Sequence, residues 1–306
     1  MKKLKLDDVV LILAVMIFVI SAISLGVYIH KHYENKAASE ELSREHAALM
    51  YVSSSLSEST AVVETLSNDV TETTKKPQRA DYSNKNITIT PFVAMPVIET
   101  TEPETESENV TTEPFISDPV TILPQMQVVY EKNEDTVGWL CLSDTKIDYP
   151  IVCADDNKYY LEHDFYGNES YHGAIFMDHR CDIDRSDNII IYGHKMQDGT
   201  MFAALHSYDR ESFYTQHKII DLSTLYEDRS YEVVSAFVIS ADDDFDFQNY
   251  IYFDEEHDFY RFQDEISCRN QIDTNVVISE NDRLLTLVTC SYEGRDARFV
   301  VVARQI

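Results

Sequence analysis

Apolar positions divide the 306-residue chain into three regimes. Val9 to Ile29 is uncharged and almost wholly apolar, about 31 Å long as a helix, enough to cross a bilayer. The run is longer than a signal-peptide core, and no small-x-small cleavage site closes it. Lys2, Lys3 and Lys5 precede it and favour a cytoplasmic tail at 1–8, although Asp7 and Asp8 lie closer. Ala37 to Leu66 allows a continuing helix, with Leu42, Leu49, Leu56 and Val63 seven residues apart as in a short coiled coil. Ser67 to Asp118 is rich in Thr, Glu, Pro and Asn and has too little apolar surface to offset its ordering entropy. Residues 30–118 therefore read as an extracellular stalk, largely disordered, whose function is reach.

The third regime, 119–306, reads as one folded domain. Gln125 to Asn133 predicts a short helix, followed by strands at Val137–Leu142, Ile147–Val152, Gly173–Met177, Asn188–Tyr192, Ile219–Leu222 and Tyr231–Ile239. Glu255 to Ser267 reads as a helix with Phe259, Phe262 and Ile266 on one side. Two strands close the chain: Leu284, Leu285, Leu287 and Val288 mark one, and Phe299 to Ala303 the other. Many short strands with few helices predict a mainly β barrel.

Chemistry enters at strand ends. Cys290 ends the first of the two last strands and Arg298 opens the second, so a hairpin through Ser291 to Ala297 places them side by side. Asn188 to Tyr192 runs into Gly193-His194 and delivers a histidine at a third tip. A thiol, an imidazole and a guanidinium so placed can serve as nucleophile, acid–base group and oxyanion stabiliser. Alone, each has an ordinary role, the cysteine as core packing, the histidine as a turn residue and the arginine as a solvated charge.

Charge narrows the field. The chain carries −29, and from Met126 onward 36 Asp and Glu face 15 Lys and Arg. Such a surface repels phosphates, so no nucleic-acid partner is expected. Five cysteines leave at least one outside any intrachain disulfide, and a Cys141–Cys153 bridge is one option for an extracellular domain. No His/Cys group has zinc spacing, and Asp242, Asp243, Asp244 and Asp246 lack the Gly and terminal Glu of a calcium loop. No metal and no cofactor are expected.

The motifs together resemble one family. Ile189-Ile190-Ile191-Tyr192-Gly193-His194-Lys195-Met196, with Asp198 to Phe202 after it, resembles the histidine motif of class B sortases. Thr286-Leu287-Val288-Thr289-Cys290 resembles their cysteine motif, and Arg298-Phe299-Val300-Val301 their arginine strand. Val137 to Leu140, Ile147 to Val152 and Asp156 to Leu161 resemble the start of their catalytic domain. Lys195 and Ser291 depart from the family pattern beside the histidine and the cysteine.

The resemblance implies an eight-stranded sortase-type β-barrel with an N-terminal helix and an inserted helix before the cysteine strand. It implies catalysis by His194, Cys290 and Arg298 in a membrane-anchored transpeptidase. Sorting-signal-bearing secreted proteins would be cut at an Asn-Pro-x-Thr type motif and joined to a lipid-linked peptidoglycan-precursor amine. Asn157, Leu161, Tyr250 and Thr289 are the matching substrate-contact candidates. A pilin-polymerising sortase and a non-enzymatic membrane-tethered adhesin are the alternative readings. The resemblance places the enzyme at the cell membrane, single-pass, with its catalytic domain outside.

Overall fold

Eight strands close into a barrel in the order β1-β2-β3-β4-β7-β8-β6-β5. They are β1 (Thr136–Cys141), β2 (Asp148–Val152), β3 (Ile175–Met177), β4 (Asn188–Tyr192), β5 (Ile219–Thr224), β6 (Asp228–Ile239), β7 (Leu284–Cys290) and β8 (Arg298–Gln305). The computed structural model describes residues 6–67, 121–240, 242–290 and 297–306. The helices are α1 (Leu6–Ser67), α2 (Pro124–Lys132), α3 (Tyr159–Glu162), α4 (Glu211–Gln216) and α5 (Glu256–Arg269).

The strands expected from sequence are all present, with ends shifted by a few residues. The histidine strand is Asn188–Tyr192 as expected, and the inserted helix lies one residue later at its start. The 3-10 helix Phe202–Asp209 and the short helix α4 were not foreseen, because their apolar residues follow no sustained period. The antiparallel pair β7/β8 forms in the expected register. Two parallel pairs, β2 with β3 and β4 with β7, complete the closure. Parallel neighbours need a long crossover. Between β4 and β7 that crossover carries α4, β5, β6 and α5.

Two apolar layers result. The barrel interior is filled by residues such as Leu140, Ile151, Ile191, Leu287 and Val301. A second layer lies outside β1 to β3, where Trp139, Phe176, Tyr160 and Phe165 pack with Met126 and Val129 of α2 and Leu42 of α1. That is why β1 reads as a nearly continuous apolar run: Leu140 faces in, and Trp139 faces a covered exterior. Phe259, Phe262 and Ile266 of α5 are buried, and the Ile266 carbonyl accepts from the Ser235 hydroxyl of β6 at 2.8 Å.

Helix α1 has two parts. Its described apolar residues from Leu13 to Val27 are exposed, as a segment meant for lipid would be. Four turns beyond Ile29 the same helix meets the barrel. Leu42 and His46, one turn apart, are buried there, and the His46 ring stacks on Trp139 with centroids 3.9 Å apart and planes 8° apart. Asp148 accepts from Trp139 Nε1 at 2.7 Å and from the Ser43 hydroxyl, while Glu45 pairs with Lys132 of α2. Part of the expected stalk is therefore helix, and one stretch of it belongs to the packed head. Leu42 meets the barrel, the contact that a coiled-coil pattern assigned to a second helix. Residues 68–118, the rest of the expected stalk, lie outside the described residues.

Burial lowers the His46 pKa from 6.5 to about 4, against the opposing pull of the Asp148 and Asp228 carboxylates. Its Nε2 is buried with no hydrogen-bond partner among the described residues. The docked ring is thus neutral. A base whose folded pKa is depressed contributes stability that is complete above its unfolded pKa and is lost as pH falls through the folded one. Here the window is pH 6.5 to 4, with roughly 3 kcal/mol at stake. Trp139 is the only tryptophan, so its fluorescence reports the contact directly. Emission should shift to the red between pH 6.5 and 4, and His46→Leu should remove that transition. An unchanged spectrum down to pH 4, or the same transition in His46→Leu, would show that His46 does not govern the docking.

Candidate active site

The end of β4 and the end of β7 are level because the two strands are parallel and in register. Tyr192 pairs with Val288, and Gly193 continues the ladder by donating its N–H to the Val288 carbonyl at 3.1 Å. His194 therefore emerges beside the Thr289–Cys290 end of β7. Across the β7/β8 pair, Cys290 is opposite Arg298. The three residues expected to act together thus stand at the ends of three adjacent strands. The turn 291–296 that joins two of them lies outside the described residues.

Glycine is required at two positions near the histidine. A Cβ on Gly193 would come within 2.5 Å of Ile175 Cδ1 and 2.8 Å of the Phe202 ring. Gly173 has φ +58°, and a Cβ there would lie 2.5 Å from the Tyr160 carbonyl and 2.9 Å from that of Leu161. This close approach sets the Leu161 carbonyl against His194, whose Nε2 lies 2.9 Å away. A carbonyl only accepts, so Nε2 carries the proton, and in the neutral ring Nδ1 is the accepting nitrogen. The following loop folds back through a Lys195–Met201 bridge, and the Phe202 N–H donates to the His194 carbonyl at 2.9 Å.

A cavity of about 280 Å³ opens at these strand ends, and His194, Thr289 and Arg298 lie on its wall. Asn157 and Leu161, from the segment around α3, line it as expected, together with Gln248 from the inserted segment. Thr289 is 2% exposed, and its hydroxyl has no hydrogen-bond partner among the described residues. This leaves an unpartnered polar group next to Cys290 on the cavity wall. Tyr250 is placed differently. Its ring packs with Phe245, Phe253 and Phe262, and Gln248, two residues earlier, takes the place on the cavity wall. Tyr192 and Phe176 also line the cavity; Tyr192 could have been found from its place two residues before the histidine, whereas Gln248 carries no sequence signal.

A larger cavity of about 600 Å³ lies between α1 and the barrel, but neither His194 nor Arg298 lines it. His194 and Arg298, two of the three residues expected to act together, line the smaller one. Cys141, Cys153, Cys181 and Cys268 are all free, so the optional Cys141–Cys153 bridge is not formed. Burial foremost, then neighbouring carboxylates, pushes Cys141 and Cys153 up to about 11; burial pushes Cys181 up to about 12. These three remain thiols at neutral pH and are poor nucleophiles. Asp243 of the acidic run pairs with Arg269 at 2.7 Å and accepts from the Phe245 N–H.

A closed eight-stranded barrel with histidine, cysteine and arginine at adjacent strand ends defines a cysteine transpeptidase fold. The sortase domain model matches residues 140–306, more than half of the chain, and the chain belongs to the sortase family. Within that family it is a class B enzyme. It is 36% identical over 191 residues to sortase B of Staphylococcus aureus, covering 60% of this chain and 76% of that protein. It is 37% identical over 174 residues to sortase B of Listeria monocytogenes, covering 55% and 68%. The solved Staphylococcus aureus sortase B–substrate complex superposes with a TM-score of 0.56 at 35% identity, over 61% of this chain and 86% of that one.

The buried Thr289 hydroxyl generates a direct test. Thr289→Val keeps the volume and removes the polar group, and kcat/KM for a peptide substrate should fall about tenfold, the cost of one lost hydrogen bond. Thr289→Ser should retain most of the activity. Equal activity in wild type and Thr289→Val would reduce the residue to packing.

Proposed function

We infer that this sortase transpeptidase acts in anchoring surface proteins. We propose that it cuts secreted proteins at a C-terminal sorting signal of the Asn-Pro-x-Thr type and joins them to an amine of a lipid-linked peptidoglycan precursor. The observation that carries this reading is the convergence of His194, Cys290 and Arg298 at three neighbouring strand ends, with one cavity beside them. The Cys290 thiolate attacks the threonine carbonyl, and the oxyanion that forms is met by the Arg298 guanidinium, whose charge is permanent. His194 gives its proton to the departing amine, leaving a thioester on Cys290. The acceptor amine attacks that thioester, His194 takes its proton, and Cys290 leaves as thiolate. No step requires a metal or a cofactor.

The apolar stretch Val9 to Ile29 is read as a single membrane span with the catalytic domain outside. Between Ile29 and Leu42 the helix rises about 20 Å at 1.5 Å per residue, so the docked head sits close to the membrane surface. A lipid-linked acceptor lies at that height, which favours it over a lysine on a long pilin shaft.

Cys290→Ala should abolish cleavage of an Asn-Pro-x-Thr peptide, whereas Cys141→Ala and Cys268→Ala should keep most of it. Full cleavage by Cys290→Ala would end this reading. Arg298→Lys keeps the charge but loses the forked donors, and turnover should fall roughly a hundredfold. Alkylation of Cys290 should hold its pH profile in Arg298→Lys and lose it in His194→Ala. A profile that shifts equally in both variants would make Arg298 a tuner of the thiol, in place of an oxyanion ligand.

Supplying both a precursor amine and a pilin lysine peptide to the full-length protein decides the acceptor. Product on the precursor is expected; product on the lysine alone would select pilin polymerisation.

A further inference from the structure

We infer that Asp178 and Arg180 form a positioning pair that sets the peptide side of the catalytic cavity. Asp178 follows β3 directly, and its side chain is fully buried. One of its oxygens accepts from the Arg180 backbone N–H at 3.0 Å and from Arg180 Nε at 2.9 Å. The other accepts from Arg180 Nη2 at 2.9 Å, the Tyr192 hydroxyl at 3.0 Å and Asn157 Nδ2 at 3.0 Å. Arg180 Nη2 also donates to the Gln248 carbonyl at 2.9 Å. One ion pair thereby joins the segment before α3, the end of β4 and the inserted segment ahead of α5.

The three residues it holds, Asn157, Tyr192 and Gln248, all line the cavity that His194 and Arg298 line. None of the three carries the bond-making chemistry. What the pair fixes is their direction. Asn157 donates from Nδ2 to Asp178 and accepts at Oδ1 from the His179 N–H at 2.9 Å, so its amide cannot flip and presents one remaining N–H and one lone pair. The Tyr192 hydroxyl is committed to Asp178, which leaves the ring as its contribution to the wall. Gln248 is tethered through its backbone.

An ion pair with one member buried and the other, Arg180, 39% exposed is a weak source of stability, because desolvation of the carboxylate and solvent screening offset its attraction. Its geometric effect is larger. Fixed partners at hydrogen-bond distance hold a binding wall within the few tenths of an ångström that productive placement needs. Burial alone would raise the Asp178 pKa, but donation from Arg180 and Tyr192 holds it below the usual value, so the carboxylate stays charged at neutral pH. The pair therefore governs how the peptide is seated and leaves the reactivity of Cys290 alone.

This inference rests on the reading of the cavity as a sorting-peptide site, and the test separates the two. Full-length wild type, Asp178→Asn and Arg180→Lys would be compared for kcat and KM on an Asn-Pro-x-Thr peptide. Alkylation of Cys290 by iodoacetamide would be followed across pH in the same samples. Asp178→Asn should raise KM tenfold or more, with the alkylation rate and its pH profile unchanged; Arg180→Lys should move KM the same way by less. If Asp178→Asn does not fold, Arg180→Lys carries the comparison, because it keeps the charge and loses only the fork. Unchanged KM in both variants, or an alkylation profile that shifts along with KM, would overturn the positioning role. A wild type that alkylates normally yet cleaves no such peptide would instead sink the peptide reading and leave the pair without its substrate.

Discussion

The parallel pairing of β4 with β7 is the constraint on which the site depends. Side chains at the ends of parallel strands emerge at the same rim, and the Tyr192–Val288 register brings His194 and Cys290 level with each other two residues further out. A slip of one residue would turn every side chain of the strand to the opposite face. Such a slip is prevented by burial, since Ile189, Ile190 and Ile191 are enclosed together with Leu284, Leu285 and Leu287. Core packing thus fixes the spacing of groups that contribute little to stability themselves. The Thr286 hydroxyl adds a polar pin, donating to Asn188 Oδ1 at 2.8 Å inside the core. Asn188 in turn holds the Tyr250 carbonyl, so the inserted segment is tied to the same strand pair.

The apolar layer outside the barrel gives the N-terminal helix its second role. Covering Trp139 needs an apolar or aromatic partner, and α1 supplies Leu42 and His46. One helix therefore carries both the apolar span and a docking turn. In the proposed topology, helix rise sets the head's height above the membrane. A histidine in this contact also makes it sensitive to acid, since the stacked ring must stay neutral to remain buried.

Electrostatics in this acidic domain are decided locally. Burial first, with neighbouring carboxylates adding to it, keeps Cys141 and Cys153 as thiols. The Cys290 position differs in having Arg298 opposite it on β8 and the histidine strand alongside. The Asp178–Arg180 pair keeps one carboxylate of this domain compensated next to the cavity.

Much of this was legible in the sequence. The strand runs, the amphipathic inserted helix, the Cys290–Arg298 hairpin and the His194 strand tip follow from periodicity and turn residues, which are local properties of the chain. Three of the four substrate-contact candidates, Asn157, Leu161 and Thr289, reach the cavity because they lie beside motifs whose placement is local too. Tyr250 does not, since an aromatic residue in an irregular segment goes wherever a vacancy in the core admits it, and here that is among Phe245, Phe253 and Phe262. Asp178, Arg180 and Gln248 could not be singled out among so many charged and polar residues. Their roles arise from three segments meeting in space. The docking of α1 belongs with them. The seven-residue repeat was visible in the chain, but only the covered face of β1 determined that Leu42 would pack on Trp139's layer of the barrel. Sequence determines what each segment can form by itself; the tertiary structure decides which buried groups become partners, because burial forces each polar and apolar group to find one.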